Sequence, residues 1–401
     1  MQDAAPINRD ALPQAEVTPR SVTILGSTGS IGKSTVDLLA GHRDRFHTEA
    51  LTGHKNVALL AEQARVLGAK LAVIGDESLY GELKSALSGS GVEAAAGTQA
   101  VIDAASRGAD WTMAAIVGTA GLRPTLAAIG QGRTVALANK ESIVAAGPLM
   151  LAAVEKSGAT LLPVDSEHNA VFQVLDPKQR AGVLRVILTA SGGPFLRKTR
   201  AELAGITPAQ AVRHPNWAMG AKISVDSATM MNKSLEIIEA SYLFNLPDQQ
   251  IDALIHPQSV VHSMVEYVDG SILAQMGAPD MRTPIAYTLG WPERITTTGQ
   301  RLDLSGLLSM HFEPVDTARF PAVDMARQAV RAGAGHPVVL NAANEVAVEA
   351  FLSGRLGFDK IEILSAEALQ RADVRRISGL DDVLALDAAA RALAENVLQT
   401  L

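Results

Sequence analysis

The sequence predicts an α/β fold in three parts, and three observations carry that reading. Up to about residue 165, short and continuously apolar segments alternate with amphipathic helical ones, as in a parallel sheet covered on both faces. Asp269–Gly270 then sits between two apolar runs, "SVVHSMVEYV" and "SILAQM", and marks an antiparallel hairpin in a mixed α+β region. From about residue 312 the apolar spacing is helical.

Residues 1–20 carry acids and prolines with no apolar stretch, and read as a disordered tail, not a signal peptide. "SVTIL" (21–25) is the first strand; it runs into "GSTGSIG" (26–32) and the helix "KSTVDLLA". The helix "NVALLAEQARVLGA" (56–69) follows. Strands are expected in "KLAVIGD" (70–76), "TMAAIVGTAG" (112–121), "TVALANKE" (134–141) and "ATLLPVDSE" (159–167). "VLRVILTASGG" and "AKISVDSAT" read as later strands with polar ends. In the last helix Leu386, Ala390, Leu393, Val397 and Leu401 line one face. The expected division is a tail to residue 20, a nucleotide-binding domain over 21–164, a catalytic domain over 165–298, a linker over 299–319 and a helical domain over 320–401.

Composition narrows the function. The 401 residues are 47% hydrophobic and 19% charged, as expected of a globular enzyme. Net charge is −7 with no long basic run, which argues against a nucleic-acid partner. The chain has no cysteine, so disulfides, thiolate catalysis and Cys-ligated metals are excluded, and a cytoplasmic location fits. No apolar run reaches the length of a membrane span.

Gly26, Gly29 and Gly32 follow a strand and open a helix, the arrangement that lets a backbone approach a diphosphate at a helix N-terminus. "STGSIGKS" (27–34) also approaches a P-loop, but Ser27 stands where that loop needs glycine, and Pro163 interrupts the matching second strand. About twenty residues past the turn, where an acid would select NAD, the chain has His54, Lys55 and Asn56; a cationic group there suits the 2′-phosphate of NADP.

Polar clusters sit at the expected strand ends. Asn139, Lys140 and Glu141 end one strand, where Lys140 could anchor an oxyanion or act as an acid. Asp165 and Glu167, two apart on another, share a face, and carboxylates so close repel unless a cation compensates. His168, the next position, is expected to face away. Ser191 lies in a glycine-flanked turn suited to phosphate. His214, Trp217 and Met219 occupy a loop that reads as a lid. Ser227, Asn232 and Lys233 suit a phosphate, and Glu236 follows on a helix.

Taken together, "GSTGSIG", "ANKE", "PVDSEHNA", "SGGPF", "HPNWAMG", "KISVDSATMMNKSLE" and "IHPQSVVHSMVEY" resemble the 1-deoxy-D-xylulose 5-phosphate reductoisomerase family in content and order. The resemblance implies an N-terminal Rossmann-like NADP-binding domain, a catalytic domain, a C-terminal helical bundle and a homodimer. It implies that Thr28, Gly29, Ser30 and Ile31 hold the cofactor diphosphate, that Gly53, Lys55 and Asn56 lie at the 2′-phosphate ribose, and that Asn139, Glu141 and Gly220 line the cofactor. It places Lys140 and Ser166 on the substrate, Ser191, Ser227, Asn232 and Lys233 on its phosphate, His214 beside the reacting carbons, and Trp217 and Met219 in a flap. Asp165, Glu167 and Glu236 become the metal ligands, and oxygen-only ligands suit magnesium or manganese. The implied activity is NADPH-dependent isomerisation and reduction of 1-deoxy-D-xylulose 5-phosphate, a step of non-mevalonate isoprenoid synthesis. Other readings of the residues are an NADP-dependent sugar-phosphate reductase without isomerisation, a P-loop kinase or ATPase, and a nucleotide sensor.

Overall fold

The structure is a computed structural model and describes residues 18–213, 217, 219–306, 309–333, 335–374 and 376–401. Most of the expected tail therefore lies outside the described residues. Seven strands, β1 (Arg20–Leu25), β2 (Phe46–Gly53), β3 (Leu71–Ile74), β4 (Glu93–Ala96), β5 (Trp111–Ala114), β6 (Thr134–Leu137) and β7 (Thr160–Pro163), form one sheet in the order β4-β3-β2-β1-β5-β6-β7. Every pairing in it is parallel. The strand order reverses beside β1, which places a ligand crevice beyond the carboxyl ends of β1 and β5.

Helices α1 (Ser30–Ala40) and α2 (Val57–Leu67) pack on this sheet through Leu38, Leu39, Leu60 and Ala64. Two expected strand ends turn out to be helix starts. β6 stops at Leu137, and Asn139 caps α3 (Lys140–Ser157), its side chain accepting from Ser142 N–H at 3.0 Å. β7 stops at Pro163, and Asp165 is the N-cap of α4 (Ser166–Val174). An Asn or Asp followed by an acid in the next turn is an N-terminal helix signal, and it outweighs the apolar run before it.

A second, five-stranded sheet has the order β11-β10-β8-β9-β12, with β8 (Val183–Ala190), β9 (Ile251–Ile255), β10 (Val261–Tyr267), β11 (Ile272–Met276) and β12 (Glu313–Pro314). β8 and β9 are parallel and the other pairs antiparallel, so the sheet is mixed. The expected hairpin joins β10 to β11, with Gly270 at φ +86°, a conformation that favours glycine.

The stretch "AKISVDSAT" is a helix, α5 (Ala221–Ala228), not the expected strand. Its β-branched residues suggested a strand, but its polar side chains bond along a helix: Ser224 to the Gly220 carbonyl and Lys222 to Asp226 four residues on. α6 (Met231–Leu243) follows after Met230, which adopts φ +61°. α6 and α8 (Ala322–Ala332) cover one face of the second sheet through Leu235, Ile238, Val323 and Ala326. α7 (Arg282–Gly290) returns to the first sheet, where the Trp111 indole N–H donates to the Thr288 carbonyl at 3.0 Å. The chain ends in α9 (Gly335–Leu352), α10 (Ile361–Arg371) and α11 (Leu380–Leu398), which share a core with the 195–211 segment. In α11 the buried positions are Val383, Asp387, Ala390, Ala394 and Val397, and the expected Leu386, Leu393 and Leu401 pack partly buried beside them. No helix among the described residues is long and apolar enough to cross a membrane.

α3 and α6 meet where Gly147 faces the Tyr242 ring, beside the kink at Ala146 and Pro148. A Cβ on Gly147 would overlap that ring. Gly147→Ala is therefore expected to destabilise the protein by about 1–3 kcal/mol. Urea unfolding checks this: an unchanged midpoint would mean that the two helices separate freely.

Candidate active site

The glycine turn is built by close approach. Gly26 has φ +90°, and a Cβ on it would lie 2.7 Å from the Ala115 carbonyl oxygen. A Cβ on Gly32 would strike the backbone of Gly26 and Ser27. Gly29 caps α1 with no side-chain bond, so the first amides of that helix face the crevice. Thr28 packs against Gly53 at the end of β2, and Asn56 caps α2 through Leu59 N–H at 3.1 Å. Lys55 and His54 are exposed. The nearby Asp76 carboxylate is held below the usual range mainly by bonds from Ser78, and weakly by Lys55 and His54.

From that turn a cleft of about 670 Å³ runs to the second sheet. Gly29, Ser30 and Ile31 line one end, and Asn139, Lys140, Glu141 and Gly220 line its middle. Asp165, Ser166, Glu167, Ser191, Ser227, Asn232 and Lys233 line the other end. Thr28, Gly53, Lys55 and Asn56 lie outside this lining; Gly53 is buried at the end of β2, and Lys55 and Asn56 are exposed just after it. His214 lies outside the described residues. Lys33, which a P-loop would aim at phosphates, is exposed and off the cleft wall.

The charged floor is delivered by the N-terminal ends of three helices. Asp165, Glu167 and Glu236 bring one carboxylate oxygen each to within 4.8 Å of one another. They converge through the N-cap and first turn of α4 and the second turn of α6, not through alternation along a strand. Lys140, at the first position of α3, contacts Asp165 and lies 3.2 Å from Glu236 Oε1 and 2.8 Å from Asn232 Oδ1. Lys233 contacts Glu236 and lies 3.2 Å from Glu167 Oε1. Burial alone would discharge both ammonium groups, but the carboxylates outweigh it and raise both pKa values. Burial likewise opposes ionisation of Asp165, and Lys140 and His168 overcome it, holding that carboxyl well below the usual range. Glu236 moves the other way: burial and the Glu167 charge raise it against the pull of Lys233 and Lys140.

His168 does not face away. It is fully buried, its Nε2–H donates to the Glu236 carbonyl at 2.9 Å, and Nδ1 lies 3.4 Å from Glu239 and 3.7 Å from Asp165. Burial disfavours its charge, but Glu239 and Asp165 push its pKa up to about 9. The expectation failed because a helix, not a strand, carries it.

The Ser191 turn is held against α5. Gly192 and Gly193 have φ +80° and +66°, and a Cβ on Gly193 would lie 2.8 Å from the Ser227 carbonyl. Ser191, Ser227, Asn232 and Lys233 thus surround one end of the cleft. Trp217 and Met219 line its mouth, with the Trp217 ring 6.1 Å from that of His262. His262 and Lys222 also line the cleft, and sequence reasoning assigned neither. Both lie in segments that carry the family resemblance, "IHPQSVVHSMVEY" and "KISVDSATMMNKSLE", so the signal is in the sequence, though it does not single out those residues.

Residues 22–147 match the family described as 1-deoxy-D-xylulose 5-phosphate reductoisomerase. Residues 161–244 and 276–393 match two C-terminal domains of the same enzyme. The reductoisomerase of Rhodospirillum centenum is 59% identical, with 94% of each chain covered. That of Zymomonas mobilis is 56% identical over 96% of this chain and 99% of its own. A solved Zymomonas mobilis reductoisomerase in complex with NADPH superposes with a TM-score of 0.92 at 54% identity, covering 96% of this chain and all of that one. A second, in complex with NADPH, fosmidomycin and magnesium, superposes at 0.89 and 42% identity over 95% of this chain and 98% of its own. With all three segments matched and the fold shared from end to end, the chain belongs to the 1-deoxy-D-xylulose 5-phosphate reductoisomerase family.

Proposed function

We propose that the chain isomerises and reduces 1-deoxy-D-xylulose 5-phosphate to 2-C-methyl-D-erythritol 4-phosphate with NADPH, in the non-mevalonate isoprenoid pathway. One observation carries this reading: a dinucleotide turn, an oxygen-only carboxylate triad and a Ser–Asn–Lys set open into a single cleft. The ligands named for the solved relatives, NADPH, fosmidomycin and magnesium, support it.

Asp165, Glu167 and Glu236 fit a hard divalent cation, magnesium or manganese, by donor type and spacing. When bound, that cation supplies Lewis-acid stabilisation of charge on two neighbouring substrate oxygens. NADPH supplies the hydride. The chain's own residues position and screen. Thr28, Gly29, Ser30 and Ile31 take the cofactor diphosphate, Gly53, Lys55 and Asn56 its 2′-phosphate ribose, and Asn139, Glu141 and Gly220 the rest of its wall. Ser191, Ser227, Asn232 and Lys233 anchor the substrate phosphate away from the reacting carbons, so that binding energy there is spent on orientation. Lys140 and Ser166 hold substrate oxygens; Lys140 keeps its proton and acts as a fixed positive charge. The family resemblance assigns His214 to the reacting carbons, and Trp217 and Met219 to a flap that excludes water.

We also infer a three-part division at the boundaries given above, and a cytoplasmic homodimer. The exposed edge strand β11 supports a second copy: Ile272 and Leu273 are about half exposed, with Val268 beside them.

NADPH oxidation should require both 1-deoxy-D-xylulose 5-phosphate and magnesium or manganese. Oxidation with other sugar phosphates but not this one would instead indicate a reductase without isomerisation. Glu236→Gln should lower turnover by at least about 10²-fold with NADPH binding kept, and Asp165→Asn, Glu167→Gln and Glu236→Gln should each weaken manganese binding in a titration. His168→Ala should weaken it as well, because His168 holds the Glu236 backbone. Wild-type metal affinity and turnover in Glu236→Gln would remove that residue from the site.

Lys55→Glu should weaken NADPH binding by about 10-fold or more through repulsion of the 2′-phosphate, and leave NADH nearly unaffected. An equal loss for both cofactors would place Lys55 elsewhere on the dinucleotide.

A further inference from the structure

Lys222 is the second residue of α5, two residues after its N-cap Gly220. Its ammonium lies 3.1 Å from Glu141 Oε1 and 2.8 Å from Asp226 Oδ2. Asp226 is only 2% exposed, and its second oxygen accepts from the Asn344 amide at 2.8 Å. Asn344 is fully buried on α9 and is not among the residues lining the cleft. The contact joins positions 118 residues apart in the chain.

The next residue of α9 extends the chain of contacts. Glu345 accepts from Asn341 at 3.0 Å and from Arg391 of α11 at 2.6 Å, and Arg391 is held in turn by Asp387. A Cβ on Gly118 would lie 3.9 Å from either Glu345 carboxylate oxygen, and the Gly118 carbonyl accepts from the Asn139 amide at 2.9 Å. α9 therefore reaches the middle of the cleft through Asp226–Lys222–Glu141, and its Glu345 lies near the Gly118 turn that holds Asn139.

We propose that Lys222 is a positioning residue for the cofactor groove, and that α9 holds it there through Asp226 and Asn344. The proposal rests on the reading of this groove as the NADPH site. Glu141 lines a groove meant for a polyanion, and a carboxylate there repels its ligand unless neutralised. Lys222, shared with Asp226, supplies part of that compensation. Lys222 also ties the first turn of α5, and with it Gly220, to the groove wall. Asp226 alone could not do this: a buried carboxylate needs a second donor to stay in place, and Asn344 supplies it. The C-terminal bundle thereby sets the affinity of a groove built mostly by other parts of the chain.

The test uses the full-length enzyme with Lys222→Met, Asn344→Leu and the double variant. Cofactor affinity is measured by NADPH fluorescence titration, and KM is measured separately for NADPH and for the phosphorylated sugar. Each single variant should raise the NADPH Kd and KM by roughly 10-fold, with the sugar KM within about 2-fold of normal. The double variant should be no worse than Lys222→Met, because both break one chain of contacts. Lys222→Arg should restore part of the loss. A purely structural role would lower the thermal midpoint without moving the NADPH KM. Should Asn344→Leu fail to fold, Asn344→Ser gives the same readout. Wild-type NADPH affinity in folded Lys222→Met and Asn344→Leu, effects that multiply in the double variant, or a shift confined to the sugar KM would each overturn the proposal. A wild-type enzyme that binds no NADPH would overturn the reading of the groove itself, and this proposal with it.

Discussion

The structure turns on a requirement of charge compensation in a dry interior. Glu236 and Glu239 are fully buried, and Lys140 and Lys233 nearly so. A charge so placed costs several kcal/mol unless partners surround it. Here each ammonium meets two of the three carboxylates Asp165, Glu167 and Glu236, and each of those meets at least one ammonium. Two positive groups against three negative ones leave the cluster short of positive charge, which is what a site for a divalent cation requires. The same shortage shows in Glu236, whose pKa is raised by burial and by the Glu167 charge against the pull of Lys233 and Lys140.

That requirement explains why the architecture places helix starts where it does. Side chains at the ends of parallel strands point into a crevice shared by neighbouring strands, but they diverge along the sheet. A helix start turns the chain back at once and presents residues of its first turn to one point. α3 and α4 both begin directly after strand ends, and α6 begins after the left-handed Met230, so three independent chain segments aim at one volume. His168 belongs to this construction. Its donation to the Glu236 carbonyl ties α4 to α6 at the level of the carboxylates.

What was legible in the sequence was local. The glycine turn, its flanking strand and helix, the parallel strands β1 and β3 and the β10–β11 hairpin all rest on short-range chemistry that a short window contains. The errors had one origin: β-branched and apolar residues were read as strand where a cap or an i,i+4 pair decided for helix. In "PVDSE", "ANKE" and "AKISVDSAT" that choice also fixed the side-chain directions. Asp165 and Glu167 were grouped for a strand reason that does not hold, and His168 was turned outward. The contacts that join the parts were not legible. Lys140 meets Asn232 across 92 positions and Asp226 meets Asn344 across 118, and no local pattern records which distant residue will answer a buried charge.

The helix dipole sharpens the mutual dependence of the site. Asp165 and Glu167, at the cap and first turn of α4, gain from the positive end of that helix, whereas Lys140, at the first position of α3, is opposed by its own. The dipole contributes about 0.3–1 kcal/mol, too little to settle the matter, and the carboxylates dominate because the Lys140 pKa still rises. Lys140 is therefore held charged by its neighbours alone. Removing Glu236 takes away together a prospective metal ligand and one of the two carboxylates in direct contact with Lys140. A loss seen on a single substitution then mixes ligation with the cost of a stranded ammonium. The two separate only when Lys140 is neutralised in the same chain: a ligand loss persists in the pair, and a stranded charge does not.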